Sequence, residues 1–145
     1  MEDIDIIKII SAGYDKLFGP AEKEIVALPR SGSDRRYFRI NMPGNSVIGT
    51  YNANHEENEA FIGFSRHFRF RMLPVPEIYA YLPDEYVYYQ QDLGDDNLYT
   101  WLHKKPPESF FDEETMILYR KILDKLILFQ TRGIDGLNLE LCYPH

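Results

Sequence analysis

Cysteine is nearly absent: Cys142 stands alone in 145 residues. One thiol can close no internal disulfide and no cysteine-rich zinc site, and such sparse use suits a reducing compartment. Long apolar runs are missing too, and none approaches the ~20 residues that a membrane helix needs. The first residues, MEDIDIIKII, are acidic and carry no basic n-region, so no signal peptide is expected. A cytoplasmic chain with no membrane partner is the expectation. Positive charge is in deficit, with 16 Lys+Arg against 23 Asp+Glu and a net charge of −7. That balance argues against a nucleic-acid partner. RHFRFRM (66–72) interleaves arginine with aromatics, but it reads better as a helix with Phe64 and Phe68 packed inward. His55, His67, His103 and His145 are dispersed, so no metal cluster is expected.

Aromatics are plentiful: 11 tyrosines, nine phenylalanines and one tryptophan. They can fill the core of one domain, or of one lobe of a larger one. Residues 4–18 place Ile6, Ile7, Ile10, Tyr14, Leu17 and Phe18 on a helical stripe, stopped by Gly19-Pro20. EIVALP (24–29) and RYFRI (36–40) read as strands around a Ser31-Gly32-Ser33-Asp34 turn. SVIGTY (46–51) is a third strand after a second turn, 41–45. Helical spacing returns over 55–71, with Phe61, Phe64 and Phe68 on one face. Its acidic start and basic end suit the helix dipole. Residues 73–82 and 85–93 read as a fourth and fifth strand. A short helix (97–105) and a long amphipathic one (112–133) follow. Trp101 reads as an anchor for the short helix, and Tyr86, Tyr88 and Tyr89 as sheet residues.

LPRSGSDRRYFRI (28–40) and YYQQDLGDDNLYTWL (88–102), in this order and about 60 residues apart, resemble two motifs of the aminoglycoside phosphotransferase and choline kinase superfamily. The first resembles its nucleotide-loop hairpin, the second its fifth strand and hinge. The likeness runs over roughly residues 5–135 and is nearest to the bacterial branch that phosphorylates cell-wall amino sugars such as N-acetylmuramate at the anomeric position. It implies an α+β fold: a protein-kinase-like small lobe, with a five-stranded antiparallel sheet and one helix between strands three and four, plus the first helices of a large lobe. The small lobe would span 1–94, and 95–145 would begin the helical lobe. The implied ligands are ATP, Mg²⁺ held mainly by the rest of the large lobe, and a sugar-like acceptor bound there too.

Backbone N–H groups of a tight turn can converge on phosphate oxygens. Gly32 permits close approach and Ser31 and Ser33 add hydroxyls. Gln90, Gln91, Asp92, Leu93 and Gly94 would form the hinge, offering backbone groups to the adenine edge. Asp95 or Asp96 would cap the next helix or meet the ribose.

Two departures stand out. Protein kinases pair a third-strand lysine with a helix glutamate, but no lysine occurs between Lys23 and Lys104. Gly49 or Thr50 occupies the expected place. Arg30, Arg35, Arg36 and Arg39 are the nearby cations, and Arg35 or Arg36 is the expected phosphate partner. Glu59 is the expected helix glutamate. The second departure is that no His-x-Asp…Asn catalytic loop and no later metal aspartate occur, so no catalytic or metal residue is assigned to this chain. The 145 residues read as the N-terminal part of an ATP-dependent phosphotransferase, inactive alone. The alternative is a non-catalytic, nucleotide-sensing or protein-interaction module.

Overall fold

The computed structural model describes residues 1–30 and 32–142. Ser31, an expected loop residue, lies outside the described residues, as do positions 143–145. The elements are α1 (Asp3–Phe18), β1 (Glu24–Ala27), β2 (Arg36–Met42), β3 (Asn45–Tyr51), α2 (His55–Phe70), β4 (Ile78–Leu82), β5 (Val87–Gln91), α3 (Leu98–His103) and α4 (Glu113–Thr131). The expected α+β class is found, with one five-stranded sheet of order β1-β2-β3-β5-β4. Each neighbouring pair of strands is antiparallel.

Strand alternation divides the sheet into two unlike faces. Phe38, Ile40, Val47, Val87 and Tyr89 turn to one side and bury Ile6, Ile10 and Tyr14 of α1. The Tyr89 hydroxyl donates to the Ile10 carbonyl at 2.8 Å, which satisfies the one polar atom of a buried ring. Gly49 lies directly under this helix, where a Cβ would stand 2.7 Å from Ile10 Cγ2. The opposite face carries Tyr37, Arg39, Ile48, Thr50, Tyr88 and Gln90. There α2 packs through Phe61, whose ring centroid lies 5.3 Å from that of Tyr88. Further along α2, Phe68 meets Phe129 of α4 at 5.2 Å. His67 donates from Nε2 to the Gly133 carbonyl at 2.8 Å, and Arg71 pairs with Asp135.

Local chemistry moves several expected boundaries. β4 begins at Ile78, because Pro74 and Pro76 lead into it without amide donors. β5 begins at Val87, because Pro83–Glu85 forms a 3-10 turn and Tyr86 adopts φ 58° after it. Asn97 and Asp112 are caps and not first helical residues: each side chain accepts the amide three residues on. A turn at Pro43-Gly44 joins β2 to β3.

Gly49→Ala is expected to push α1 off the sheet and cost about 1–3 kcal/mol through overpacking. Urea unfolding measures this. An unchanged midpoint would mean that the helix-to-sheet distance is not set at Gly49.

Candidate functional site

Residues 32–35, just before β2, lie beside α2. Gly32, Ser33, Asp34 and Arg35 line a cavity of about 510 Å³ with Glu57, Ala60, Phe61 and Phe64 of α2. The loop thus meets the helix, and one cation and one carboxylate stand together at their junction.

Arg35 is that cation. Its Nη2 lies 2.9 Å from Glu57 Oε1, and its guanidinium sits 4.7 Å from the centre of the Phe61 ring. Glu57 is held from its other side as well. Asn52 donates from Nδ2 to Glu57 Oε2 at 3.0 Å. The Glu57 amide donates to the side chain of Asn54, the α2 cap, at 3.0 Å. Asn52 is 2 % exposed, and its carbonyl accepts the Asn58 side chain at 2.7 Å. This network joins the end of β3 to the first turn of α2 and fixes where the carboxylate points.

Arg36 and Glu59 do not join this cluster. Arg36 lies on the α1 side of β2, where it donates to the Met1 carbonyl at 2.7 Å and pairs with Asp3. Strand alternation sends it away from its neighbour Arg35. Glu59 faces outward, 3.7 Å from His55 Nε2. It also acts on Tyr81, whose hydroxyl is pushed up to about 12, first by burial and then by the Glu59 charge. The helix glutamate that meets the loop is therefore Glu57. The sequence signal for it is Asn54-His55-Glu56-Glu57, a cap followed three residues later by glutamate.

Thr50 takes the cleft-facing position on β3, while Gly49 faces α1. Thr50 is fully buried, paired in register with Tyr37 on one side and Tyr88 on the other. Burial holds the Tyr88 phenol protonated well above its ordinary range; neighbouring Tyr37 adds to this, while Arg35 and Thr50 act the other way. Neither the Thr50 nor the Tyr88 hydroxyl completes a bond of normal geometry with a described residue, and the same holds for Arg35 Nε and Gln90 Oε1. Buried polar atoms are paired in the great majority of cases. Here Thr50, Tyr88 and Gln90 share the front face of the sheet, and Arg35, just before β2, lines the cavity.

The expected hinge divides by face. Gln90 points to the front and is 9 % exposed. Gln91 is spent on β4: its amide donates to the Glu77 carbonyl at 2.8 Å, and its side chain accepts the Glu77 amide at 3.3 Å. Asp92 is spent too. It accepts Arg39 Nε at 2.6 Å and Nη2 at 3.1 Å, Ser46 Oγ at 2.7 Å and the Gly94 amide at 2.9 Å. Leu93 is 65 % exposed, and its backbone bonds to no described residue. Gly94 takes φ 80°, a conformation that costs an L side chain about 1 kcal/mol or more. Of the segment 90–94, then, the Leu93 backbone is free for a ligand, while the Asp92 carboxylate is not. Asp95 reaches back to Arg39 at 2.8 Å, and Asp96 pairs with Lys104 at 2.7 Å. Among the described residues no group of three or more His, Cys, Asp or Glu is placed to hold a metal ion.

No protein-family model matches this sequence, and no curated protein matches it significantly. The geometry of the site is therefore the ground for any reading of its function.

Burial pushes the Asp92 carboxyl up, but the bonds from Arg39, Gly94 and Ser46 outweigh it and hold the group below its ordinary value. Its contribution to stability is complete above the unfolded carboxylate range, about pH 4. It is lost as pH falls through the lower folded value. The urea midpoints of the native chain and Asp92→Asn are expected to differ at pH 7 and converge below about pH 4. Curves that stay parallel down to pH 2 would show that the Asp92 charge is not what holds the hinge.

Proposed function

We propose that this chain is the nucleotide-binding part of an ATP-dependent phosphotransferase that acts on a small molecule, with a sugar or amino-sugar hydroxyl as acceptor. The observation that carries this reading is the Arg35–Glu57 pair beneath the 32–35 loop. It reproduces, with different residues, the cation-on-carboxylate arrangement that kinases use at the phosphates. Glu57 and the Phe61 ring hold Arg35 in place, and Arg35 lines the cavity. A phosphate oxygen arriving there would gain a charge-assisted bond from a group already positioned. Gly32 and Ser33 would add backbone and hydroxyl donors from above, and the free Leu93 backbone would take the base edge. The five-strand order with α2 inserted after β3 is compatible with a kinase-like small lobe.

Transfer itself makes a bond from the acceptor oxygen to the γ-phosphorus and breaks the one to the β-γ bridging oxygen. The base that takes the acceptor proton and the groups that hold Mg²⁺ would come from a larger helical lobe that α3 and α4 begin. The apolar side chains of Met116, Ile117, Leu123, Leu126 and Ile127 on α4 lie 39–57 % exposed, as a helix awaiting further lobe packing would leave them. The chain of 145 residues is expected to turn over no ATP with any sugar. Turnover by this chain alone would refute that division of labour. If a longer form bound ATP and transferred to no acceptor, the sensing-module reading would replace this one.

Calorimetry with ATP and with inorganic tripolyphosphate tests the phosphate site directly. Arg35→Met is expected to weaken both ligands about tenfold or more, since a bond to a charged group contributes roughly 1.5–3 kcal/mol. Gly32 has open space around it. Gly32→Val is therefore expected to fold normally and weaken both ligands by blocking backbone approach. Unchanged affinities in both variants would return the loop to a plain hairpin.

A further inference from the structure

Among the described strand residues, Arg39 is a front-face cation that the phosphate reading leaves unused. In the sheet register it stands opposite Ile48, which stands opposite Gln90, so the three form one row across β2, β3 and β5. The next row toward the hinge is Asn41, Ser46 and, one residue past β5, Asp92. The Arg39 side chain crosses from the first row to the second and ends against Asp92 and Asp95. The two-pronged contact with Asp92, from Nε at 2.6 Å and Nη2 at 3.1 Å, fixes the plane of the guanidinium. Asp95 holds Nη2 from the solvent side at 2.8 Å. Ile48, the apolar residue of the row, is only 6 % exposed.

This arrangement limits what a planar ligand can meet. A base that bonds to the free Leu93 backbone from the front lies over the hinge end of the sheet. The Arg39 guanidinium ends against Asp92 and Asp95, next to Leu93 in the chain, with its N–H forks occupied and its side chain 18 % exposed. Guanidinium planes stack on aromatic rings and bases. We infer that Arg39 is the stacking platform for the nucleotide base, with Asp92 and Asp95 as positioning residues that hold its plane. This inference rests on the nucleotide reading above. It adds a residue and a mode of contact, because the base would be received by a clamped cation instead of an apolar floor.

Adenosine, ATP and inorganic tripolyphosphate separate base from phosphate. Arg39→Met would strand the buried Asp92 carboxylate, so Arg39→Lys is the primary variant. It keeps the charge and loses the plane. Stacking of one base contributes on the order of 1–3 kcal/mol. Arg39→Lys is accordingly expected to weaken adenosine and ATP about tenfold and leave tripolyphosphate within about twofold. Asp95 is 81 % exposed, so Asp95→Asn does not endanger the fold. It is expected to weaken adenosine about two- to threefold and leave tripolyphosphate unchanged. Equal losses for all three ligands, or full adenosine affinity in both variants, would overturn the inference. A native chain that binds tripolyphosphate but not adenosine would overturn it while leaving the phosphate site standing. A native chain that binds neither would remove the nucleotide reading and this inference with it.

Discussion

The seat of α1 on the back of the sheet is the constraint from which the rest follows. Ile6 and Ile10 are completely buried there, Gly49 supplies the space for Ile10, and the Tyr89 hydroxyl ties down the Ile10 carbonyl. Once that face is sealed, the alternation of β2, β3 and β5 has no freedom left. Phe38, Ile40, Val47 and Tyr89 must face the helix, and Tyr37, Arg39, Thr50, Tyr88 and Gln90 must face the other way. A one-residue slip of register would exchange the two sets and bury the Arg39 charge under an apolar helix. The polar front is thus a consequence of the apolar back.

The front face is not covered in the same manner. Phe61 of α2 closes one end over Tyr88, and the Arg39–Asp92 pair closes the other. Between them lie buried polar atoms that find no partner among the described residues. An interior evolved only for stability would fill such a strip with aliphatic side chains, because each unpaired group costs about 1–3 kcal/mol. On the proposed reading, a nucleotide bound beside the strip would account for its polarity. Chain charge does not oppose an anionic ligand, despite the net value of −7. Arg35 and Arg39 stand at the two ends of the strip, and the range of the acidic surface is limited by screening to about 10 Å.

Much of this was legible in the sequence, and the misses have a common cause. The strands, the helix between the third and fourth, and the loop–hinge spacing follow from period-2 and period-3.6 patterning and from turn residues, all of them local. The faces of β3 were not legible, because Gly49 and Thr50 are adjacent and only pairing with α1 assigns them. Glu56, Glu57 and Glu59 crowd the start of one helix, and the choice among them depends on where the helix begins; the Asn54 cap settles that. Arg36 and Arg35 differ by one position and by a whole face of the sheet. The Arg39–Asp92 clamp spans 53 residues. It depends on two strand registers in series, which no local pattern reports.

On the proposed reading, moving the phosphate-facing cation from a strand to the end of a loop changes what controls it. A lysine on β3 would be positioned by the sheet ladder itself. Arg35 immediately precedes β2, so its backbone belongs partly to the loop, and its side chain needs other supports. Phe61 supplies one face and Glu57 the terminal contact, and both lie in α2. Glu57 in turn depends on Asn52 at the end of β3 and on the Asn54 cap. The cation is therefore competent only while α2 begins at His55 and packs on Tyr88. Loop and helix are coupled through one ion pair, so closure of the loop on an anion and seating of α2 on the sheet favour one another. A lysine fixed in β3 would not be coupled to the loop in this way, and the coupling requires Arg35 and Glu57 to act as one unit.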